Sequence, residues 1–167
     1  MSASEHRALS PRQVSCFVLT VSDTRGLGAD TSGQAIAQLL EAGGHVVTGR
    51  EAVRDEPQDV ARIIREQIGK GDAQVIITTG GTGISRRDST YEAITGLFDK
   101  RLDGFGELFR MLSFQDIGPA AMLSRATAGV ASGRAIFMLP GSEAAVRLAM
   151  ERLILPELGH VVRELTR

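Results

Sequence analysis

The sequence predicts an α/β protein, a three-layer α/β/α sandwich on a mostly parallel sheet, and two observations carry this prediction. First, short apolar runs rich in β-branched residues alternate with longer segments of helical periodicity, which is typical of a parallel sheet covered on both faces. Second, small polar residues and glycine follow three of these runs, at 22–24, 80–83 and 141–142. Because ligands bind beyond the carboxyl ends of such strands, we expect these three loops to form one ligand-binding site at the same edge of the sheet.

The first half of the chain is predicted to contain three strands and two helices. The strands are predicted over 14–21 (VSCFVLTV), 45–53 and 74–79 (QVIITT), each an apolar run of strand length. The first helix follows a capping cluster that begins at Asp30, and it stops at Gly43. The second begins at Pro57, where the missing N–H costs nothing, and glycines at 69 and 71 end it.

The second half is predicted to be mainly helical, with one further strand. Helical patterns cover 89–98, 102–114, 119–130, 142–153 and the segment from 156 onward. The strand covers 134–139 (RAIFML) and is ended by a Pro-Gly pair. Within 102–114, the apolar side chains of Phe105, Leu108, Phe109 and Leu112 are predicted to share one helical stripe.

Length, charge and cysteine content exclude several classes of protein. The 167 residues fit a single domain, predicted over 13–167 after a polar, flexible tail at 1–12. The net charge of -1 argues against nucleic-acid binding. Cys16 is the only cysteine, so it forms no disulfide within the chain and is predicted to be a buried core residue. Without an apolar run of ~18 residues or a signal-peptide pattern, a cytoplasmic location is predicted, with no membrane contact.

The strongest candidate site is the glycine loop, residues 79–83, which follows the clearest strand. Its glycines permit positive φ angles, so consecutive N–H groups can point at an anion such as phosphate. The pattern is neither a dinucleotide-binding fingerprint nor a Walker loop, because no Gly-Lys-Ser/Thr follows. A tight structural turn is the alternative interpretation.

Charged residues near strand ends are the other candidates. Arg87 suits phosphate oxygens, and Asp88 beside it could hold Mg²⁺ together with substrate phosphates. Asp55 is a second carboxylate after a strand. For both aspartates the alternative is capping of the helix that follows. Arg125 lies within the predicted helix 119–130, and an arginine at such a position is more often a solvated surface residue than a ligand contact.

Taken as an ordered set, these motifs resemble the MoaB/Mog family of molybdenum-cofactor biosynthesis proteins, and the MoaB branch in particular. The resemblance covers about residues 14–165 and rests on VSDT at 21–24, DE at 55–56, TTGGTG at 78–83, RD at 87–88, DGFGE at 103–107, LSRA at 123–126 and LPGS at 139–142. One departure is Tyr91, which replaces the family's proline before Glu92. This change is expected to alter the stiffness of the loop rather than the chemistry.

The resemblance implies a trimeric or hexameric protein that binds molybdopterin at the glycine loop. Active members transfer AMP from MgATP to the terminal phosphate of molybdopterin, release pyrophosphate, and pass the product to a molybdenum insertase. A non-catalytic molybdopterin-binding or carrier protein is the alternative. The phenylalanine-rich segment 105–114 is predicted to belong to the subunit interface.

Residue roles follow from this resemblance together with the loop analysis. Asp55 and Asp88 are expected to be catalytic and to hold or orient Mg²⁺. The residues expected to bind the substrates lie in the strand-end loops and near position 125: Ser22, Asp23, Thr79, Gly80, Gly81, Thr82, Gly83, Arg87, Ser124, Arg125, Gly141 and Ser142. Whether the physiological pterin belongs to a molybdenum or a tungsten pathway stays open at this level.

Overall fold

The computed structural model describes residues 2–24 and 26–167, apart from the side chain at position 27. Its strands are β1 (Ser15–Val21), β2 (Val46–Val53), β3 (Val75–Thr79), β4 (Lys100–Arg101), β5 (Thr127–Ala131) and β6 (Arg134–Leu139). They form one sheet in the order β2-β1-β3-β6-β5-β4. The pairs β2–β1, β1–β3 and β3–β6 are parallel, whereas β5 is antiparallel to both neighbours. The predicted α/β fold with a mostly parallel sheet is confirmed.

Helices cover both faces of this sheet. They are α1 (Ala3–Ala8), α2 (Thr31–Ala42), α3 (Pro57–Lys70), α4 (Thr90–Thr95), α5 (Asp103–Ile117), α6 (Glu143–Ala149) and α7 (Leu155–Leu165). A π-helical segment, Met150–Ile154, joins α6 to α7. Among the described residues, no helix combines the length and the apolar character that crossing a membrane requires.

The strand β1 shows how the layers form, because its side chains alternate between two apolar clusters. Cys16 and Val18 pack with residues of α2, α5, α6 and α7, whereas Phe17 and Leu19 pack with residues of α3 and α4. A strand buried on both faces has no polar face, which explains the continuous apolar run in the sequence. Cys16 is buried as predicted, and burial raises the pKa of its thiol to about 12, so the thiol is protonated at neutral pH.

The N-terminal segment contains a helix where the sequence predicts a flexible tail over residues 1–12. Helix α1 begins with a capping box, in which Ser2 Oγ accepts from the Glu5 N–H and the Glu5 carboxylate accepts from the Ser2 N–H. The helix lies against α7, where His6 Nδ1 is 2.9 Å from Glu164 Oε1. Mobility of this segment in solution stays a prediction.

The predicted helix over 119–130 is wrong. Gly118–Leu123 form a short 3₁₀ helix, and β5 follows it. Ser132 and Gly133 connect β5 to β6 with φ angles of 48° and 77°, which are the backbone angles that a two-residue hairpin requires. As a consequence, Ser124 and Arg125 lie in the loop before β5 and not on a helix.

Helix α5 departs from the sequence prediction in the placement of one side chain. Phe105, Phe109 and Leu112 are buried as expected, but Leu108 is 48% exposed. Leu108 therefore belongs to the opposite face of α5, which contains further exposed apolar side chains.

Candidate functional site

A cleft of about 530 Å³ lies beyond the carboxyl ends of β1, β3 and β6, the three central parallel strands. The strand order places the loops after these strands side by side, as the sequence predicts for a sheet of this kind. Its described lining residues are Thr20, Val21, Ser22, Thr24, Asp30, Ser32, Thr79, Gly80, Gly81, Thr82, Gly83, Asp88, Leu123, Ser124, Pro140 and Gly141. The whole glycine loop therefore lines the cleft.

The glycine loop is held tightly against its neighbours. Gly80 and Gly81 have φ angles of 96° and 70°, in the region that L side chains rarely adopt. The Gly80 N–H donates to the Leu139 carbonyl at 3.0 Å, and Thr79 Oγ1 donates to the Pro140 carbonyl at 2.8 Å. These two bonds join the ends of β3 and β6, so the loop is both a tight turn and one wall of the cleft.

Asp88 is half-buried and lines the cleft next to the glycine loop. Its Oδ2 accepts from the Ser85 N–H at 2.9 Å and from Ser85 Oγ at 2.6 Å. Among the described residues, no hydrogen bond ends on Asp88 Oδ1. Helix α4 begins only at Thr90, with Ser89 as its N-cap, so Asp88 does not cap that helix. Asp88 thus retains an oxygen that is free to bind a cation.

Asp55 has a different environment, because it is only 5% exposed and does not itself line the cleft. Its Oδ1 accepts from Ser89 Oγ at 2.7 Å, from Thr90 Oγ1 at 3.2 Å and from the Ser89 N–H at 3.3 Å. An added Cβ on Gly81 would lie closer than 3.0 Å to Asp55 Oδ2, so the carboxylate sits directly behind the glycine loop. Asp55 holds the start of α4, and with it the segment that contains Asp88.

Arg87 forms ion pairs that direct it away from the cleft lining. Its Nε and Nη2 donate to the two oxygens of Asp23 at 3.0 Å each, and Nη2 also donates to Glu56 Oε1 at 2.9 Å. These hydrogen bonds lower the pKa of Asp23 against the opposing effect of burial, and they raise the pKa of Arg87. Asp23 also accepts from the Asp55 N–H at 3.1 Å, so this pair joins the ends of β1 and β2 to the segment before α4.

Arg125 binds the back of the glycine loop. Its guanidinium donates to the carbonyl of Thr82 at 3.1 Å and to that of Gly83 at 2.6 Å. It also pairs with Glu92, whose pKa is lowered first by this hydrogen bond, and lies 4.7 Å from the ring centroid of Tyr91. Tyr91 therefore supplies a cation–π contact to the arginine that fixes the loop.

Three further site residues of the sequence prediction lie in loops at the cleft or beside it. Ser142 caps α6 by accepting from the Ala145 N–H at 3.2 Å, and it does not line the cleft. Gly141 lines the cleft, and its carbonyl accepts from Ser32 Oγ at 2.7 Å. Ser124 lies in the cleft wall, beside Leu123.

Asp30 is a cleft residue for which the sequence predicts only a role as a helix cap. It does cap α2, because Oδ1 accepts from the Gly33 N–H at 2.8 Å. Its Oδ2 accepts from Thr20 Oγ1 at 2.5 Å and from Arg50 Nη2 at 3.3 Å, and the residue is 3% exposed. Its position in the sequence could have indicated a place at the cleft, because Asp30 starts the helix that follows the first strand of a parallel sheet.

The charged side chains that line the cleft are carboxylates, one of which is already paired with Arg50. Of the described lining residues, Asp30 and Asp88 carry carboxylates and none is lysine or arginine. An anionic ligand in this cleft would therefore depend on backbone N–H groups and on a bound cation to offset its charge.

The fold and the cleft define an α/β protein with a ligand cleft at the carboxyl edge of its parallel strands. Residues 17–160 match the sequence family described as "Probable molybdopterin binding domain". The chain belongs to the MoaB/Mog family of molybdenum-cofactor biosynthesis proteins, as its motifs indicate.

Relatives of the B branch are similar over nearly the whole chain. Molybdenum cofactor biosynthesis protein B of Halalkalibacterium halodurans is 53% identical, over 99% of this chain and 98% of its own. A crystal structure of a molybdenum cofactor biosynthesis protein B is 49% identical with a TM-score of 0.91, covering 95% of this chain and 99% of the other. The tungsten cofactor synthesizing protein MoaB from Pyrococcus furiosus is 39% identical with a TM-score of 0.87, covering 95% and 100%.

Proposed function

We infer that this protein binds molybdopterin and MgATP in the cleft and transfers AMP to the terminal phosphate of molybdopterin, with release of pyrophosphate. The observation that carries this proposal is the composition of the cleft. The glycine loop and Asp88 line the same cleft, while no described lining residue is basic. Such a site suits phosphates that arrive with a divalent cation better than phosphates that bind alone.

The proposed reaction needs little covalent assistance from the protein. A terminal phosphate oxygen of molybdopterin attacks the α-phosphorus of ATP, and the bond to the β-phosphate oxygen breaks, so that pyrophosphate leaves with its electron pair. The attacking oxygen is already anionic, so no strong general base is required. The main barrier is repulsion, since two unit charges 4 Å apart interact by about 4 kcal/mol at an effective dielectric of 20. Catalysis is then mainly positioning and charge compensation.

The residues present fit a magnesium ion. Asp88 has an oxygen without a hydrogen bond among the described residues, and a hard cation of this kind prefers one or two carboxylates together with phosphate oxygens. Mg²⁺ would supply positive charge between the reacting phosphates. Asp55 Oδ1 already accepts three hydrogen bonds, and Oδ2 accepts from the Ser89 N–H at 3.4 Å. We therefore propose that Asp55 acts mainly by orienting the Asp88 segment, with Oδ2 as the less engaged of its two possible ligand atoms.

We propose two groups among the remaining site residues. Residues that line the cleft would contact the substrates directly: Ser22, Thr79, Gly80, Gly81, Thr82, Gly83, Ser124 and Gly141. The others would hold these loops in place through the contacts described above: Asp23, Arg87, Arg125 and Ser142.

Pyrophosphate release is the decisive test of the proposal. Purified protein incubated with molybdopterin and MgATP should release pyrophosphate in proportion to the adenylylated pterin formed, and chelation of Mg²⁺ should stop the release. A non-catalytic carrier would bind molybdopterin without consuming ATP. Binding of molybdopterin without any pyrophosphate would therefore overturn the enzymatic proposal in favour of that alternative.

We propose that the reaction precedes metal insertion, and the family resemblance supports this order. The adenylylated pterin would pass to a molybdenum insertase in the cytoplasm, and both the partner and this location stay predictions from the sequence. A relative is named for tungsten cofactor synthesis, so the same product could serve either metal.

We propose that the exposed face of α5 and of the 3₁₀ segment after it forms the interface of a trimer or hexamer. Its apolar side chains are each at least 48% exposed: Leu108, Met111, Phe114, Ile117, Met122 and Leu123. An apolar surface of this kind is typical of a protein interface. Leu123 also lines the cleft, so assembly would cover one side of the site.

The change Phe114→Glu is expected to dissociate the oligomer, because it introduces a charge into the centre of this apolar face. Light scattering at micromolar concentration should give the mass of an oligomer for the wild type and the mass of a monomer for the variant. Gln58→Glu is the matched control, since the exposed Gln58 lies on α3, across the sheet from α5, and receives the same charge. A monomeric wild type would contradict the proposed interface.

A further inference from the structure

A second cluster of possible metal ligands lies where α1 contacts α7, and none of its residues lines the cleft. His6 belongs to α1, while His160 and Glu164 are one helical turn apart on α7. One ligand atom from each residue lies within 4.8 Å of the others. Both imidazoles are largely buried, with side chains 17% and 23% exposed. The cluster therefore joins the two ends of the chain.

We propose that His6, His160 and Glu164 bind a divalent cation of the zinc class. Zinc binds nitrogen and oxygen ligands at about 2.0–2.1 Å, so two ligands at a tetrahedral angle are about 3.3 Å apart. His6 Nδ1 is 2.9 Å and His160 Nε2 is 3.9 Å from Glu164 Oε1. These two distances lie on either side of the tetrahedral value, so side-chain rotations at the three residues would bring the ligand atoms around one cation.

Glu157 supplies a contact that metal-binding histidines commonly have. His160 Nδ1 donates to Glu157 Oε2 at 2.8 Å, which leaves Nε2 as the nitrogen directed toward Glu164. A carboxylate on the second ring nitrogen fixes the tautomer of a metal-binding imidazole and raises its basicity. Arg7 also pairs with Glu157, so two partners hold this carboxylate in place.

The donor set determines which cation fits. Two imidazole nitrogens and one carboxylate favour Zn²⁺, Ni²⁺ or Cu²⁺, whereas Mg²⁺ prefers oxygen ligands. Three protein ligands leave a fourth position for water. Arg167 donates to both oxygens of Glu164 at 3.2 Å and would have to release Oε1, so we expect an affinity in the micromolar range. A bound cation would tie α1 to α7.

Zinc titration of protein without an affinity tag, dialysed against a chelator, tests the proposal. Calorimetry should show one Zn²⁺ per chain, and Zn²⁺ should raise the midpoint of thermal unfolding, while Mg²⁺ at the same concentration should do neither. Each of His6→Ala, His160→Ala and Glu164→Gln should weaken Zn²⁺ binding by at least about a hundredfold, and Glu157→Gln by about tenfold.

Two comparisons make the outcome decisive. No residue of α1 belongs to the two apolar clusters of the core, so lost Zn²⁺ binding in His6→Ala cannot result from a damaged core. His45→Gln removes the remaining histidine of the chain and should leave Zn²⁺ binding unchanged. Absence of binding in the wild type, an unchanged affinity in His6→Ala, or a loss caused by His45→Gln would overturn the proposal. The proposal does not depend on the adenylyl-transfer activity.

Discussion

Replacing Asp88 by asparagine is expected to lower the rate of pyrophosphate release by about a hundredfold or more, because it removes the charge proposed to hold the cation between two phosphates. Asparagine has nearly the same shape, and its carbonyl oxygen can still accept from the Ser85 N–H and Oγ that bind Asp88 Oδ2. The fold should therefore be retained. Rates at saturating molybdopterin and MgATP, together with thermal unfolding curves, measure both effects.

Asp55→Asn is the matched variant, and it should affect stability as well as rate. The Asp55 carboxylate is buried and accepts from the Ser89 N–H, Ser89 Oγ and Thr90 Oγ1. Loss of its charge weakens these bonds, and a misdirected amide would leave buried donors unpaired, at about 1–3 kcal/mol. If the Asp88→Asn variant released pyrophosphate at the wild-type rate, the proposed role of Asp88 in the reaction would be wrong.

The elements that the sequence predicts well are those with a local signal. Strand β3 is buried along its whole length, and its run of β-branched residues records this directly. The glycine loop is similarly visible, because only glycine adopts the φ angles of Gly80 and Gly81 without strain. The loops are then expected to meet, because the carboxyl ends of parallel strands lie at the same edge of a sheet.

The strand β5 could not be recognised by the same means. Its sequence, TAGVA, contains alanine and glycine, which favour neither strand nor helix strongly enough to reveal the pairing with β4 and β6. Gly129 is small because an added Cβ would overlap the ring of Phe98. The turn residues Ser132 and Gly133 are the local feature that indicates a hairpin. The residues before them have helical periodicity, and this pattern predicts a helix instead.

The roles of the arginines depended on partners distant in sequence. Arg87 binds Asp23 and Glu56, and Arg125 binds carbonyls of the glycine loop some forty positions earlier. Spacing along the chain puts Arg87 just beyond the glycine loop, whereas only the family resemblance assigns Arg125 to the site. Residue type and spacing could not distinguish an arginine that contacts a phosphate from one that holds the loop, because both use the same donors.

Gly80→Ala is expected to destabilise the protein by about 3 kcal/mol or more, because it combines backbone strain with a clash. The φ angle of Gly80 is 96°, and an added Cβ would lie closer than 3.0 Å to the Val21 carbonyl oxygen. Val21 ends β1, which is paired with β2 and β3, so this oxygen cannot move without breaking strand pairing. Denaturant unfolding measured by circular dichroism would give the change in the free energy of unfolding.

The same substitution at Gly104 separates the clash from the general effect of removing a glycine. Gly104 lies in the first turn of α5, and an added Cβ there would meet no heavy atom within 4 Å. Gly104→Ala should therefore be neutral or stabilising by up to about 1 kcal/mol, since alanine favours the helix. In the Gly80→Ala variant, the added Cβ can avoid the Val21 oxygen only if the glycine loop moves. The folded fraction of that variant should consequently bind molybdopterin more weakly, whereas equal stability and binding in the two variants would contradict the tight contact between the loop and β1.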